Sequence, residues 1–249
     1  MTENIKITNA FWEKRNLGIS VYEAIVNEKA GDKELRDISQ INGELIYVKV
    51  HCENTTLIEK LSHDNFVHIE NQFSIQKRLQ KVIVPEIYLK SLRFIEPHIV
   101  SSIAEAQLIF DELDKDLFTL DRIALDTDFG VKVANLRYKN WISDMINSGN
   151  YECTILKTKS ESIPVAFFIN KYEGSIGHCV LGAVFNNFKN RGISHSFIYF
   201  AIQNSIKQNC KVLQTKVSGN NVSVFNIYSS VFGFEISENH VVMVKKRLT

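Results

Sequence analysis

The fold is decided by the stretch IGHCVLGAVF at Ile176–Phe185 and NNFKNRGIS at Asn186–Ser194. The first part is typical of a strand and the second of a polar loop, and apolar residues at helical spacing follow. Amide groups of such a loop and of the first helical turn converge on one point, which favours phosphate binding. Gly192 allows close approach of the backbone, and Lys189 and Arg191 add positive charge. The same pattern also occurs where a glycine only turns the chain.

The composition excludes several classes of protein. The 249 residues contain 29 Lys and Arg and 28 Asp and Glu, and the net charge of +1 gives no support to nucleic-acid or membrane-surface binding. No run reaches the roughly 18 apolar residues of a membrane span, and the start shows no signal-peptide pattern. The four cysteines are far apart and do not cluster with histidines, so no metal is expected. We expect a reduced, cytoplasmic protein.

Strands and helices alternate along the first 80 residues. The pattern predicts strands at 19–26, 44–50 and 65–74 and helices at 32–41 and 55–62. The character of the sequence changes near residues 80–97. We therefore predict a smaller αβ N-terminal domain at 1–95 and a second domain at 96–249.

The second half predicts further strands and helices. Strands are predicted at 96–103, 151–157, 163–172, 176–185, 211–217 and 235–245, and helices at 104–113, 131–147 and 222–231. The expected fold class is α/β (α+β), with a mixed central sheet.

The chain after the phosphate-type loop carries a second pattern. Asn221 and Tyr228 are seven residues apart, and Gly233-Phe234 follows. With the loop ending at Ser194, this resembles the acetyl-CoA-binding core of the GNAT N-acetyltransferase superfamily. Gly233 follows Tyr228 by five residues, where four is more common, which predicts one extra residue, Phe232, in the last helical turn. A shifted register would instead put Ser229 at the position of Tyr228.

The loop itself resembles the superfamily signature Gln/Arg-x-x-Gly-x-Gly/Ala. Lys189 stands at its first position, Gly192 at the second and Ser194 at the third. Ser194 still offers a small side chain and a backbone donor, whereas a lysine changes the side-chain contact.

The resemblance implies how acetyl-CoA is bound. Two strands, at 178–185 and 212–217, are expected to splay apart after a bulge, with the pantetheine arm between them. The backbone amide of Val184 would polarise the thioester carbonyl. The implied cofactor-binding residues are Val184, Phe185, Lys189, Asn190, Arg191, Gly192, Ile193, Ser194 and Asn221.

Two residues are candidates for proton transfer. Tyr228 is the candidate general acid for the coenzyme A sulfur, because a phenol can donate a proton at neutral pH. The alternative is an aromatic side chain that only packs on the sheet. His178 is the candidate base, since imidazoles titrate near neutral pH. The alternatives are a histidine that is packed or solvated on a strand, and removal of the proton by water.

The resemblance extends towards the start of the chain. The segments Asp121–Asp126 (DRIALD) and Phe11–Gly18 (FWEKRNLG), with Arg137-Tyr138 and Trp141, resemble a subgroup that acetylates amino groups of nucleotide-linked deoxysugars. The implied acceptor is the amine of a 3-amino- or 4-amino-dideoxyhexose linked to a nucleotide such as dTDP, and a homodimer is compatible with the superfamily. The alternatives are a protein N-terminus or other small amine as acceptor, and an inactive coenzyme A-binding module.

Four residues are candidates for contact with such a sugar: Asp121, Arg137, Tyr138 and Trp141. Arginine can bind phosphate through two hydrogen bonds, and aromatic rings can stack on thymine. The two aromatic residues could equally belong to a helix core, the arginine to a solvated face or an ion pair, and the aspartate to a helix cap.

Overall fold

The structure is a computed structural model that describes residues 4–80, 84–189 and 191–247. Its strands are β1 (Ile5–Asn9), β2 (Val21–Val26), β3 (Leu45–His51), β4 (Val67–Arg78), β5 (Ile95–Val100), β6 (Glu152–Thr158), β7 (Pro164–Glu173), β8 (Ile176–Val184), β9 (Val212–Ser218) and β10 (Glu235–Lys246). Its α-helices are α1 (Glu13–Leu17), α2 (Asp32–Ser39), α3 (Thr55–His63), α4 (Glu86–Leu92), α5 (Gln107–Leu113), α6 (Gly130–Ser148), α7 (Ser194–Lys207) and α8 (Val222–Asn226). Within the described ranges, no helix combines the length and the hydropathy that crossing a bilayer requires.

The predicted elements lie within a few residues of those observed, and β1, α1 and α4 have no predicted counterpart. The start of α5 differs by three residues. This helix begins at Gln107, whereas the pattern places its start at Ala104. The preceding residues form a turn, because the carboxylate of Glu105 accepts a hydrogen bond from the amide of Ser101 at 2.8 Å. A side chain that binds a nearby amide in this way competes with the helical backbone pattern.

The chain divides into two compact units. The first comprises the residues up to Phe73, Ser218–Asn220 and those from Glu238, and the second comprises Ser74–Val217 and Asn221–Ser237. These units cut the chain at other places than residue 95, because β10 returns to pair with β3. The division into domains 1–95 and 96–249 stays a prediction.

The first unit is built on a parallel strand pair. β2 and β3 run parallel with Val26 opposite Val50, β1 pairs antiparallel with β2, and β10 pairs antiparallel with β3. β3 is central and apolar on both faces, as its buried residues show. The core of this unit combines these strands with apolar side chains of α2 and α3, among them Ile38, Leu57 and Leu61.

The second unit contains an antiparallel meander followed by a parallel crossover. The strands lie in the order β9-β8-β7-β6-β5, with β8 and β9 parallel and the others antiparallel. Side chains of α5 and α6, including Leu113 and Ile142, form a core with Phe167 and Ile169 on one face of this sheet. α7 connects β8 to β9, as a crossover helix between parallel strands does. The predicted fold class, α/β (α+β) with a mixed sheet, is confirmed.

We expect Asn54→Ala to destabilise the first unit. Asn54 is 8% exposed, accepts from the amide of Leu57 at 3.1 Å as the cap of α3, and donates to the carbonyl of Ala30 at 2.9 Å. Loss of a cap and a buried hydrogen bond costs about 1–3 kcal/mol. Chemical denaturation measures the free energy of unfolding. Asn150→Ala, at an exposed position after α6, is the control, and an equal effect of both substitutions would contradict the assignment.

Candidate functional site

One extra residue interrupts the pairing of β8 with β7. Asn170 is opposite Cys179 and Ile169 is opposite Leu181, which leaves Val180 between them without a partner. Such a β-bulge bends the strand and increases its local twist. The bulge lies in one of the two strands that the resemblance implies splay apart after a bulge.

β8 and β9 part beside this bulge, just before Val180. Their parallel pairing covers Ile176–His178 with Val212–Gln214, whereas β8 continues to Val184 and β9 to Ser218. At the apex, where pairing ends, the hydroxyl of Thr215 donates to the carbonyl of Cys179 at 2.7 Å. The predicted splay of the two strands is therefore confirmed, and a side chain holds its apex.

Two backbone amides of β8 point to the edge from which β9 has parted. The amide of Phe185 donates to the carbonyl of Val165 in β7 at 2.9 Å. Successive amides along a strand point to opposite edges, so those of Gly182 and Val184 point away from β7. These donors are available to a ligand that lies along the parted edge. The sequence predicts this orientation for Val184 but gives no indication of Gly182.

Tyr228 reaches the apex from α8. Its side chain is 3% exposed, its phenol donates to the sulfur of Cys179 at 3.7 Å, and its ring packs edge-on against Phe234 at 4.8 Å. Burial raises the pKa of the Tyr228 phenol well above its usual value. The group is therefore a neutral proton donor over the physiological pH range.

A π-helical turn places Tyr228 in this position. It spans Ile227–Val231, and the amide of Phe232 donates to the carbonyl of Ile227, five residues earlier, at 3.3 Å. A π-helical turn holds more residues than an α-helical one, which accounts for the extra residue predicted before Gly233. The hydroxyl of Ser229 donates to the carbonyl of Asn226 at 3.4 Å, so Tyr228 rather than Ser229 contacts β8.

The amide of Val184 and the phenol of Tyr228 do not lie close together. The phenol contacts Cys179, and Val184 lies five positions further along β8, beyond the bulged Val180, which is about 13–17 Å at roughly 3.3 Å per residue. The amide of Gly182 is the nearer of the two amides to the apex.

His178 lies beside the apex but on the other face of β8. Neighbouring residues of a strand face opposite sides, and Cys179 faces Tyr228. His178 is half-buried, and its Nε2 lies 3.6 Å from a carboxylate oxygen of Glu173 at the hairpin end. The structure thus places the imidazole and the phenol at the same height along β8 but on opposite faces.

The loop before α7 offers backbone groups rather than side chains. Gly192 has a left-handed φ of 72° with open space around it. Ile193 and Ser194 lead into α7, where no side chain caps the first amides. The ammonium of Lys189 donates to the carbonyl of Leu117 at 3.0 Å, and the guanidinium of Arg191 lies 5.8 Å from the ring centre of Phe188. The two cationic side chains that the sequence predicts to contact phosphate, Lys189 and Arg191, therefore contact other residues of the protein here.

Three other predicted cofactor residues fare differently. Asn190 lies outside the described residues. Asn221 caps α8, accepting from the amide of Val224 at 3.4 Å. Phe185 has its ring in the core, its amide bonded to Val165 and its carbonyl bonded to the amide of Phe188 at 2.9 Å. We therefore leave Phe185 out of the site, because none of its polar groups remains for a ligand.

The four predicted acceptor residues form one cluster. The phenol of Tyr138 donates to Asp121 at 2.9 Å, and the guanidinium of Arg137 lies 5.7 Å from the ring centre of Tyr138 and 6.0 Å from that of Trp141. Phe118, which the sequence does not single out, packs against Tyr138 with ring centres 4.2 Å apart. This cluster packs against the core that includes the β8 residues after the bulge.

The sequence also gives no indication of Cys179 or Thr215. A cysteine and a threonine in strands are common as packing residues, and only the pairing register brings the two to the apex. The one available indication was their position on the two strands that are expected to part.

Solved structures of N-acetyltransferases share this fold. A GCN5-related N-acetyltransferase from Sphaerobacter thermophilus matches 97% of this chain and 76% of its own, at 9% identity and a TM-score of 0.63. A GCN5-related N-acetyltransferase from Kribbella flavida matches 92% of this chain and 82% of its own, at 11% identity and a TM-score of 0.58. No protein-family model matches the sequence, and no curated protein sequence matches it. At such identities the likeness establishes the fold alone.

A third similar structure has a named sugar activity. It is a glucosamine N-acetyltransferase region within a fungal multi-domain β-N-acetylglucosaminidase, with 10% identity and a TM-score of 0.60. The match covers 80% of this chain and 25% of the fungal one.

We expect Tyr228 to stay protonated in the folded protein when ordinary tyrosines ionise. The absorbance of tyrosinate can be followed as the pH is raised, in the parent with its eight tyrosines and in the Tyr228→Phe variant. Up to about pH 11, the folded variant should gain as much absorbance as the folded parent. In denaturant, the parent should gain one more tyrosinate than the variant. Because the unfolded chain loses this proton first, Tyr228 makes the free energy of unfolding fall above about pH 10. A smaller folded-state signal in the variant would contradict the prediction.

Proposed function

We propose that this protein transfers the acetyl group of acetyl-CoA to the amino group of a nucleotide-linked amino sugar. The observation that carries the proposal is the bulge at Val180 beside the point where β8 parts from β9. It leaves strand amides unpaired at the apex where a buried phenol, that of Tyr228, is held neutral. Unpaired amides and a neutral acid are what a thioester and its leaving sulfur require.

The residues fit acetyl-CoA in two places. The amide of Val184 can pair with an amide group of an extended arm, as the edge of a sheet pairs with an added strand, and the amide of Gly182, which is nearer to Tyr228, is left for the thioester carbonyl. The left-handed turn at Gly192 and the uncapped start of α7 offer donors and a helix dipole to a diphosphate. Bound there, acetyl-CoA supplies the activated acetyl group.

The chain's own groups then divide the chemistry. The amide of Gly182 polarises the carbonyl on which charge develops, a contribution of about 3 kcal/mol for one such donor. Tyr228 gives its proton to the sulfur as the carbon–sulfur bond breaks. His178, or water beside it, takes the proton of the attacking amine. A carboxylate oxygen of Glu173 lies 3.6 Å from Nε2 of His178, and the other carboxylate oxygen pairs with Lys171.

The cluster of side chains on α6 supports a nucleotide-linked amino sugar as the acceptor. Trp141 and Tyr138 offer rings for a planar base, and the guanidinium of Arg137 lies over both. A guanidinium suits the diphosphate of a nucleotide-linked sugar. The similarity to a glucosamine N-acetyltransferase region supports an amino sugar as acceptor class.

A thiol-release assay with acetyl-CoA tests the proposal. We expect free coenzyme A to form with one or more members of a panel of dTDP-linked 3-amino and 4-amino sugars. Release with peptides or small amines, but with no nucleotide sugar, would contradict the acceptor and leave acetyl transfer standing. The absence of release with every amine, together with no binding of coenzyme A, would contradict the activity itself.

Tyr228→Phe should lower kcat by about 10²–10⁴-fold, because the phenylalanine cannot protonate the sulfur. The KM for acetyl-CoA should change little. Tyr199→Phe, on α7 and with its ring against Phe200, is the matched control. Equal turnover by the parent and Tyr228→Phe would remove Tyr228 from the acid role.

Gly192→Val should weaken binding of coenzyme A about tenfold or more. A β-branched residue at positive φ costs about 1–3 kcal/mol locally and displaces the loop amides, and about 1.4 kcal/mol is tenfold in affinity. Calorimetric titration with coenzyme A measures the change. Gly149→Val carries a similar strain at a φ of 66°, after α6. If it weakens binding equally, the phosphates are not held at Gly192.

A further inference from the structure

Three potential metal ligands meet in the first unit, where two parallel strands end. Glu28 follows the end of β2, His51 is the last residue of β3, and Glu53 comes two residues later. The carboxyl ends of neighbouring parallel strands lie at the same edge, so residues far apart in sequence come together there. One nitrogen of His51 and one carboxylate oxygen of each glutamate lie within 4.8 Å of one another.

The loops that carry these residues are tied together. The buried amide of Asn54 donates to the carbonyl of Ala30 at 2.9 Å and to that of Asn27 at 3.4 Å. It therefore fixes the loop of Glu28 against the loop of Glu53 without using either carboxylate. The imidazole of His240 packs edge-on against that of His51, with ring centres 5.9 Å apart. The two residues are opposite each other in the pairing of β10 with β3.

Within the described ranges, neither Glu28 nor Glu53 forms an ion pair with a lysine or arginine. Two carboxylates at this distance repel each other, and a bound cation removes that repulsion. The backbone amide of Glu53 donates a hydrogen bond to Nδ1 of His51 at 3.5 Å, and an ion bound at Nδ1 would replace this contact.

We propose that Glu28, His51 and Glu53 bind a divalent transition-metal ion, for which Zn²⁺ is the fitting probe. One imidazole and two carboxylates are a mixed donor set that suits Zn²⁺ better than Mg²⁺ or Ca²⁺, which take oxygen ligands. Zinc ligands lie about 2.0–2.2 Å from the metal, hence about 3–4 Å from each other, and side-chain rotation closes the remaining distance. The ion fastens the loop after β2 to the end of β3.

This site is independent of the proposed acetyl transfer. It lies wholly in the first unit, whereas the parted strands and Tyr228 belong to the second. The sequence gives no indication of this site, because its ligands are one histidine and two glutamates from separate loops, and they form no cysteine or histidine cluster along the chain.

Titration of the chelator-treated full chain with Zn²⁺ tests the proposal. We expect one equivalent to bind by calorimetry and to raise the melting temperature, since a ligand of the folded state stabilises it. We expect each of three substitutions to weaken Zn²⁺ binding about tenfold or more: Glu28→Gln, His51→Ala and Glu53→Gln. Loss of a residue that only orients a metal ligand typically costs about 10–100-fold in affinity, and loss of the ligand itself costs at least as much. Both glutamates are exposed, so the glutamine variants should fold, which circular dichroism checks.

His98→Ala is the matched control. His98 lies two residues from Glu96, with their side chains 3.1 Å apart, which repeats the spacing of His51 and Glu53 without the third ligand. It should leave the Zn²⁺ affinity unchanged. Three results would overturn the proposal: no stoichiometric binding, equal loss in His98→Ala and His51→Ala, or binding that survives both glutamine substitutions. Binding of Ca²⁺ as tight as that of Zn²⁺ would also contradict it, because an imidazole ligand discriminates against calcium.

Discussion

The extra residue at Val180 is the constraint on which the second unit depends. Before the bulge, Gly177 and Cys179 face α7 and the π-helical turn, and after it Gly182 takes over that face. An added Cβ at Gly182 would lie 2.9 Å from the ring of Phe197, and one at Gly177 would lie 2.9 Å from the hydroxyl of Ser205. Both glycines therefore let α7 pack directly on the strand. The extra residue thus keeps Gly182 on the face that α7 covers and directs its amide to the edge away from β7.

Many positions along the chain could be predicted because they depend on local patterns. Apolar periodicity located the strands and helices, and the spacing from Asn221 to Gly233 predicted an extra residue that the π-helical turn accommodates. The sequence could not predict features that depend on the pairing register of β8 on either side of the bulge. The sequence does not show which residue is unpaired, so it cannot decide whether the amide of Gly182 or that of Val184 lies nearer the phenol. Contacts such as Lys189 with the carbonyl of Leu117 also depend on packing between distant segments.

The hydrogen bond of Tyr228 is unusually weak for a buried phenol. Its acceptor is the sulfur of Cys179 at 3.7 Å, and sulfur is a poor acceptor. Burial raises the pKa of the Cys179 thiol to about 11, so this sulfur stays uncharged and adds little to the bond. The ring packs against Phe234, and the hydroxyl of Thr215 also forms a hydrogen bond with the phenol. A donor positioned by apolar contacts, with only a weak acceptor, can exchange that acceptor for another sulfur at low energetic cost.

Comparison with Tyr138 shows why this matters. Burial is the largest cause that raises the pKa of both phenols above the usual value, and both are therefore neutral at physiological pH. Tyr138 donates to the carboxylate of Asp121 at 2.9 Å, and a bond to a charged acceptor is about twice as strong as one between neutral groups. Its proton is committed to that carboxylate, which makes Tyr138 a rigid part of an aromatic surface. Of these two phenols, that of Tyr228 lies at the apex and makes the weaker hydrogen bond. The difference between a carboxylate and a thiol acceptor therefore distinguishes a phenol that can release its proton from one that holds it.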